Sequence, residues 1–395
     1  MIFTKIIRGF IRVEWLPLSK VFNLRNGYTP SKTKKEFWAN GDIPWFRMDD
    51  IRENGRILGN SLQKISSCAV KGGKLFPENS ILISTSATIG EHALITVPHL
   101  ANQRFTCLAL KESYADCFDI KFLFYYCFSL AEWCQKNTTM SSFASVDMDG
   151  FKKFLIPRPC PNNPEKSLAI QSEIVRILDK FSALTAELTA ELTAELTMRK
   201  KQYNYYRDQL LNLEGRENTR EMRIGDIYDF QYGTGNTIPK SGGQYPVYGS
   251  NGIVGSHDKY NSEDSPIIGH IGAYAGIVNW GQGKHFVTYN GVICRHKSKE
   301  VLQKYAYYLL LLQDFGSKSN SASQPFVSYN ILNAPIVLVP PLQEQARIVA
   351  ILDKFDTLTN SITEGLPREI ELRQKQYEYY RDLLFNFPKP ETVSN

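Results

Sequence analysis

Few residues in this chain have the spacing of a reactive centre, and each lacks the partner its chemistry needs. Asp119-Ile-Lys121 has the Asp-x-Lys spacing of a nuclease, but it opens an aromatic run and no convincing carboxylate accompanies it. Gly283-Lys284 is followed by His285, so the phosphate-cradling loop Gly-x-x-x-x-Gly-Lys-Ser/Thr is absent. His270 stands without a Cys or carboxylate cluster and reads as structural rather than as a metal ligand. The seven cysteines, at 68, 107, 117, 127, 134, 160 and 294, include no Cys-x-x-Cys pair. That argues against a zinc knuckle and a disulfide framework, and fits a reducing cytoplasm. The chain reads as non-catalytic.

The elements that remain belong to a sizeable globular protein. At 395 residues, 43% hydrophobic and 12% aromatic, the chain has room for two or three domains with large cores. No apolar run approaches the ~18–20 residues of a membrane span, and the longest, 305–312, is far shorter, so a soluble protein is expected. Residues 1–15 mix apolar residues with Lys5, Arg8 and Arg12 and show no export signal. The net charge of +6 suits nucleic acid only if the cations gather on one surface.

Two globular stretches repeat one order of elements. In the first, from about 13 to 157, a strand-like run ends at Asn26-Gly27, followed by the polar loop 29–35, the runs 43–47, 79–90 and 105–110, and an aromatic helix over 119–134. It exits through Phe154-Leu-Ile-Pro-Arg-Pro159, where the prolines are expected to stop regular structure. The second, from about 222 to 339, reruns this order. Its strand-like run ends at Gly233, Ala273 and Gly276 lie over Ala87 and Gly90, an aromatic helix covers 305–315, and Ile336-Val-Leu-Val-Pro-Pro341 forms the exit.

Helices join and follow these stretches. Thr-Ala-Glu-Leu is written three times, at 185–188, 189–192 and 193–196, and such strong helix formers without Gly or Pro read as a rod. The rod runs roughly from Leu168 to Leu213, with an apolar stripe at 170, 174, 177, 178, 181, 184 and 188. A second helix from Leu342 to about Phe385 carries its stripe at 348, 351, 352, 355, 358 and 362. Ile177-Leu-Asp-Lys-Phe181 recurs as Ile351-Leu-Asp-Lys-Phe355, and Gln202-Tyr-Asn-Tyr-Tyr-Arg-Asp208 as Gln376-Tyr-Glu-Tyr-Tyr-Arg-Asp382, both 174 residues on. Half of the chain repeats the other half. The simplest cover for each stripe is the other helix, as an antiparallel coiled coil. Gly365-Leu-Pro367 should break the second helix, with Pro367 at the first position of a new segment.

Globular stretch, long helix, globular stretch, long helix, with Thr-Ala-Glu-Leu repeats in the central one, resembles the specificity subunit of type I restriction-modification systems over essentially the whole chain. The resemblance implies an α/β (α+β) fold of two target recognition domains separated by two long antiparallel helices, with an internal pseudo-two-fold repeat. It divides the chain into a first recognition domain at 1–160, a central spacer helix at 161–215, a second recognition domain at 216–340, and a C-terminal helix and tail at 341–395. Each domain would read one half of a bipartite, asymmetric site in double-stranded DNA. Partners implied are two methyltransferase subunits and restriction/translocase subunits, in the cytoplasm and away from membranes. S-adenosylmethionine, ATP and Mg2+ would belong to those partners, with no cofactor in this chain. The Asn/Asp-Pro-Pro-aromatic motif of the adenine methyltransferases of these systems is missing, because the only Pro-Pro, Pro340-Pro341, sits between Val339 and Leu342.

A helix of about 46 residues is ~69 Å long, enough to hold two modules one turn of DNA, ~34–36 Å, apart. Base reading would fall to polar loops, whose side chains match groove edges and phosphates. In the first stretch these offer Thr29, Ser31, Lys32, Lys34, Arg47, Thr85, Ser86, Thr88 and Arg104; in the second, Lys240, Ser250, Asn251, His270, Tyr274, Asn290, Lys318 and Asn320. The plainer reading of most is a surface turn residue. Leu184, Leu188, Leu192, Leu196, Phe181, Phe355, Tyr206 and Tyr380 are the candidates for spacing the helices and docking partners. Tyr203, Tyr205 and Tyr206 and their copies Tyr377, Tyr379 and Tyr380 either stack on bases or, beside Arg207 and Arg381 at helix ends, pack against the globular stretches or partner helices. Two rival readings remain: a stand-alone methyltransferase or nuclease with unrecognised motifs, and a coiled-coil scaffold without DNA affinity. The scaffold leaves the duplicated, diverged globular stretches unexplained.

Overall fold

Ser80-Ile-Leu-Ile-Ser84 is buried along its whole length, as a strand covered on both faces must be, and it lies mid-sheet. The computed structural model that shows this describes residues 11–139, 144–235, 242–319, 324–361 and 364–389. The chain divides into two compact units, Met1–Thr189 with Leu372–Asn395, and Ala190–Glu371.

The first unit contains β1 (Val13–Pro17), β2 (Phe22–Asn26), β3 (Ile43–Phe46), β4 (Ile57–Leu58), β5 (Lys64–Ile65), β6 (Ser80–Ser84), β7 (His92–Ile95), β8 (Leu100–Ala101) and β9 (Phe105–Leu110). Five of them form a sheet in the order β2-β9-β6-β7-β4, and β5-β3-β8 form another. The short strands β10 (Thr138–Thr139) and β11 (Ser145–Val146) pair together, and β12 (Leu155–Pro159) pairs antiparallel with β1. Alternation along β6 and β9 sends Ile81, Ile83 and Leu108 to one core with Phe122 and Leu130 of the aromatic helix Ile120–Lys136. Leu82, Phe105 and Cys107 go to a second core with Trp45, Phe46 and Phe76. The prolines of β12 do not stop regular structure: Pro157 lies opposite Trp15 and Pro159 opposite Val13. A strand with a single neighbour carries prolines because an N–H on its free edge makes no ladder bond. Asp119 caps the aromatic helix, its carboxylate accepting from the backbone N–H groups of Lys121 and Phe122 at 2.8 and 3.4 Å. The nuclease-like spacing is thus a helix start.

The second unit contains β13 (Arg220–Arg223), β14 (Tyr228–Tyr232), β15 (Tyr245–Gly249), β16 (Gly252–His257), β17 (Ser262–Gly269), β18 (Val278–Val287), β19 (Gly291–His296) and β20 (Ile336–Val339). Six form a sheet in the order β14-β19-β17-β18-β15-β16, and β13 pairs with β20. Matching bonds align it with the first unit. Phe46 faces Ala101 across the parallel pair β3–β8, as Tyr248 faces Val287 across β15–β18. Gly27 N–H donates to Phe105 C=O as Gly233 N–H does to Gly291 C=O, and Gly90 to Ser84 as Gly276 to Gly269. Three residues past Ser84 and Gly269 stand Ala87 and Gly272, with φ of 63° and 90°. Ala87 therefore aligns with Gly272 rather than Ala273, and the second loop is one residue longer.

The central helix, Pro164–Leu211, runs unbroken for 48 residues. The last segment is two helices, Leu342–Asn360 and Gly365–Leu384, so the expected break is present. Gly365 has φ of 79°, and a Cβ there would lie 2.5 Å from the Thr357 carbonyl oxygen. Pro367 is the third residue of its helix rather than the first, still within the turn whose N–H groups have no helical acceptor. Ile362 lies outside the described residues.

Each stripe is covered mainly by its own globular unit, not by the other helix. Ile174, Val175 and Leu178 enter the first unit's core with Phe122, Phe385 and Phe387, while Ile348 and Leu352 enter the second unit's core with Tyr305 and Tyr308. Leu184, expected under cover, is 52% exposed. The helices run antiparallel within each unit: Phe181 meets Tyr380 at 5.4 Å in the first, and Tyr206 stacks on Phe355 at 5.6 Å in the second. Ser182 Oγ also donates to Tyr377 Oη at 3.0 Å.

Buried glutamines at equivalent repeat positions stitch each helix to its unit. Gln171 Nε2 donates to Cys117 C=O at 2.9 Å and its Oε1 accepts from Asp119 N–H at 3.0 Å. Gln345 Nε2 donates to Glu300 C=O at 3.0 Å and its Oε1 accepts from Leu302 N–H at 2.8 Å. Among the described residues, no helix is long and apolar enough to cross a membrane.

Candidate nucleic-acid interface

In the first unit, β3 and β8 run parallel, and this pairing brings the residues after each strand to the same end. There they line a cleft of about 770 Å³ with five cations, Lys32, Lys35, Arg47, Arg52 and Arg104, against one carboxylate, Asp49. Asn102, Gln103, Thr29, Trp38 and Trp45 are also among the lining residues. Four residues singled out from sequence, Thr29, Lys32, Arg47 and Arg104, meet here.

Local structure holds these groups in place. Asp50 is fully buried and accepts from the backbone N–H groups of Arg47 and Leu62, both at 2.6 Å, which starts the helix Met48–Asn54 carrying Asp49 and Arg52. The two tryptophans meet edge to face at 5.0 Å, and their indole N–H groups donate to Ser31 and Tyr28 carbonyls at 3.0 Å. Thr29 Oγ1 is hydrogen-bonded to Gln103 Oε1. Arg104 N–H donates to Asn102 Oδ1 at 3.0 Å, and its carbonyl accepts from Thr85 N–H at 2.9 Å.

The other candidates of this unit sit around the cleft or away from it. Ser31 Oγ pairs with Thr33 Oγ1 at 2.8 Å, and the Lys34 ammonium lies 5.0 Å from the Phe37 ring. Thr85 Oγ1 pairs with Thr106 Oγ1 at 3.1 Å, and Ser86 C=O accepts from Ser84 Oγ at 2.9 Å. The Thr88 hydroxyl oxygen is buried and has no hydrogen-bond partner among the described residues. Sequence reasoning missed Lys35, Arg52, Asn102 and Gln103. The internal repeat was the signal for the last of these, because Gln103-Arg104 aligns with Tyr289-Asn290.

The same frame in the second unit carries different chemistry. Gly249 stands where Arg47 does, Asn290 where Arg104 does, and His270 where Thr85 does. His270 is 5% exposed, stacks on Tyr232 at 4.1 Å, and its Nδ1 lies 3.0 Å from the Tyr289 carbonyl oxygen. Tyr232 in turn stacks on Tyr329 at 4.2 Å. Ser250 and Asn251 form the tip between β15 and β16, and Tyr274, Asn290 and Lys318 are exposed. Lys240 and Asn320 lie outside the described residues. Among the described residues, no group of three His, Cys, Asp or Glu side chains could hold a metal ion.

On the helices, Tyr203 and Tyr377 are buried, whereas Tyr205 and Tyr379 are exposed at 62% and 63%. Tyr206 and Tyr380 are also exposed, and Leu188, Leu192 and Leu196 are half-buried.

The profile of the type I restriction modification DNA specificity domain matches residues 12–198 and 216–372, one stretch for each copy of the repeat. The chain belongs to this family. It is 67% identical over 362 residues to the type I restriction enzyme EcoprrI specificity subunit of Escherichia coli, covering 90% of both chains. It is 44% identical over 297 residues to the EcoR124I/EcoR124II specificity subunit of Escherichia coli, covering 66% of this chain and 71% of that one. A solved structure titled for complex assembly and conformational transition of the type I R-M system shares the fold, with a TM-score of 0.61 and 16% identity over 94% of this chain and 97% of that one. The role of this specificity subunit is therefore DNA recognition, as a non-catalytic component of a type I system.

Proposed function

We propose that each globular unit reads one half of a bipartite, asymmetric duplex site, and that the helices set the unread spacer. The observation carrying this reading is one scaffold present twice with different side chains at matching loop positions. Arginines, lysines and a carboxylate line the cleft of the first unit, while the second presents Gly249, Tyr289 and Asn290 in the same frame. Unlike side chains on like backbones select unlike bases, so the two half-sites differ. The recognition domains are 1–160 and 216–340, with 161–215 as spacer and 341–395 as the returning helix.

Methyltransferase subunits dock on the helices, one at each copy of Gln-Tyr-x-Tyr-Tyr-Arg-Asp. Exposed Tyr205 and Tyr206 mark one copy, and Tyr379 and Tyr380 mark the other. Large aromatics left in water at repeated positions suit a partner present twice. Those partners supply S-adenosylmethionine and the pocket for the target adenine, and restriction subunits supply ATP-driven chemistry with Mg2+, all in the cytoplasm.

Genome-wide mapping of methyladenine in cells producing the chain with its partners tests this reading. The expected motif is bipartite and asymmetric, and Asn290→Ala relaxes one half only. A contiguous or palindromic motif refutes it. A scaffold without DNA affinity would show no salt-dependent shift of a duplex, whereas a DNA reader binds less tightly as salt rises.

A further inference from the structure

The five cations of the first unit's cleft are not equivalent. Lys32, Lys35, Arg52 and Arg104 are exposed on loops or a short helix, as suits contacts to phosphates. Arg47 is different. Its backbone is anchored by Asp50, its guanidinium lies 6.0 Å from the Trp45 ring, and its side chain is 35% exposed. Its Nε is buried and has no hydrogen-bond partner among the described residues. An arginine held this way presents a donor fork of fixed direction rather than a mobile charge.

The group beside it narrows the ligand. Asp49, the one carboxylate lining the cleft, lies 3.8 Å from the Arg47 guanidinium and is 52% exposed. A carboxylate opposes a phosphate but accepts from an amino group. In the major groove a G·C pair presents guanine O6 and N7, two acceptors suited to an arginine fork, next to the cytosine N4 amino donor, suited to a carboxylate. The other base pairs lack this combination of paired acceptors on one base and a donor on its partner. We propose that Arg47 and Asp49 read one G·C pair in the half-site of the first unit, with Arg47 on guanine and Asp49 on cytosine. Gly249, at the position of Arg47 in the second unit, has no side chain to do the same.

This assignment rests on the cleft being a DNA-reading surface, and the experiment separates the two. Methyladenine is mapped in cells producing the chain with its partner subunits, for the natural chain, Arg47→Ala, Arg47→Lys, Asp49→Ala and a combined Lys32→Ala/Lys35→Ala/Arg52→Ala/Arg104→Ala variant. Arg47→Ala is expected to relax a single G·C position in one half, with discrimination there falling about 5- to 150-fold, the loss of one bidentate base contact. The other half and the spacer stay unchanged, and Asp49→Ala relaxes the same position. Arg47→Lys keeps the charge but not the fork, so it relaxes that position too and carries the test if the alanine variant does not fold. An unaltered motif in both Arg47 variants, with methylation lowered evenly at all sites, overturns the base assignment. If the combined variant binds duplex with the natural salt dependence, DNA does not enter this cleft and the underlying reading fails as well.

Discussion

Deleting Thr189 to Leu192 tests the spacer reading most directly, because the change can be worked out from the helix alone. The central helix is unbroken over its 48 residues, so removing four keeps it a helix. At ~1.5 Å and ~100° per residue, the far end moves by about 6 Å and turns by a net ~40°. B-DNA turns by ~34–36° per base pair, so the deletion moves one reader through nearly the angle of a base pair. The axial shift exceeds the ~3.4 Å base-pair rise, a difference that a rod inclined to the DNA absorbs. The recognised spacer should shorten by one base pair with both half-sites unchanged, as read by methyladenine mapping. Deleting only Thr189 and Ala190 is the control. It shortens the rod by half as much, about 3 Å, but turns its end by ~200°, so methylation should be lost rather than shifted. An unchanged spacer in the first variant, or a functional enzyme in the second, refutes the helix as a rigid ruler.

Three further outcomes concern stability. Gln171→Leu leaves the Asp119 N–H and Cys117 C=O groups unpaired where the central helix enters its unit, and should cost about 2–4 kcal/mol in denaturant unfolding. Phe387→Ala removes a ring that is 2% exposed among Phe122 and its neighbours, and should lower stability by about 3–5 kcal/mol in the same measurement. His92 is held neutral, its pKa lowered to about 3 by burial and then by nearby Arg56. Since the unfolded chain takes up that proton near the ordinary histidine value of 6.5, His92 should not affect stability above that pH. Below it, stability should fall by about 1.4 kcal/mol per pH unit toward pH 3, and His92→Leu should flatten this slope of melting temperature against pH.

The sequence revealed the plan of the fold through signals that need no long-range information. Ala, Glu and Leu without Gly or Pro made the central helix legible, and Gly365-Leu-Pro367 made the break legible. Paired motifs 174 residues apart exposed the duplication. Errors arose where a local rule met a tertiary exception. Pro157 and Pro159 lie in a strand because it has only one neighbour, and Leu184 is exposed because the globular units, rather than a second helix, bury the stripes. The cleft was half legible. Arg47 and Arg104 have the right chemistry, but nothing in the spacing of 47 and 104 announces that a parallel strand pair joins them.

Helix continuity, duplication and the scarcity of catalytic motifs were therefore determined by the sequence by itself, because helices form through contacts three and four residues apart and repeats are visible as text. Only the tertiary structure decided which polar residues act together. Trp45 opposite Leu100 and Phe46 opposite Ala101 set the register that gathers Arg47, Asp49 and Arg104 at one cleft. A slip of one residue in that pairing would turn those side chains to the other face, and strand register depends on the packing of the whole unit.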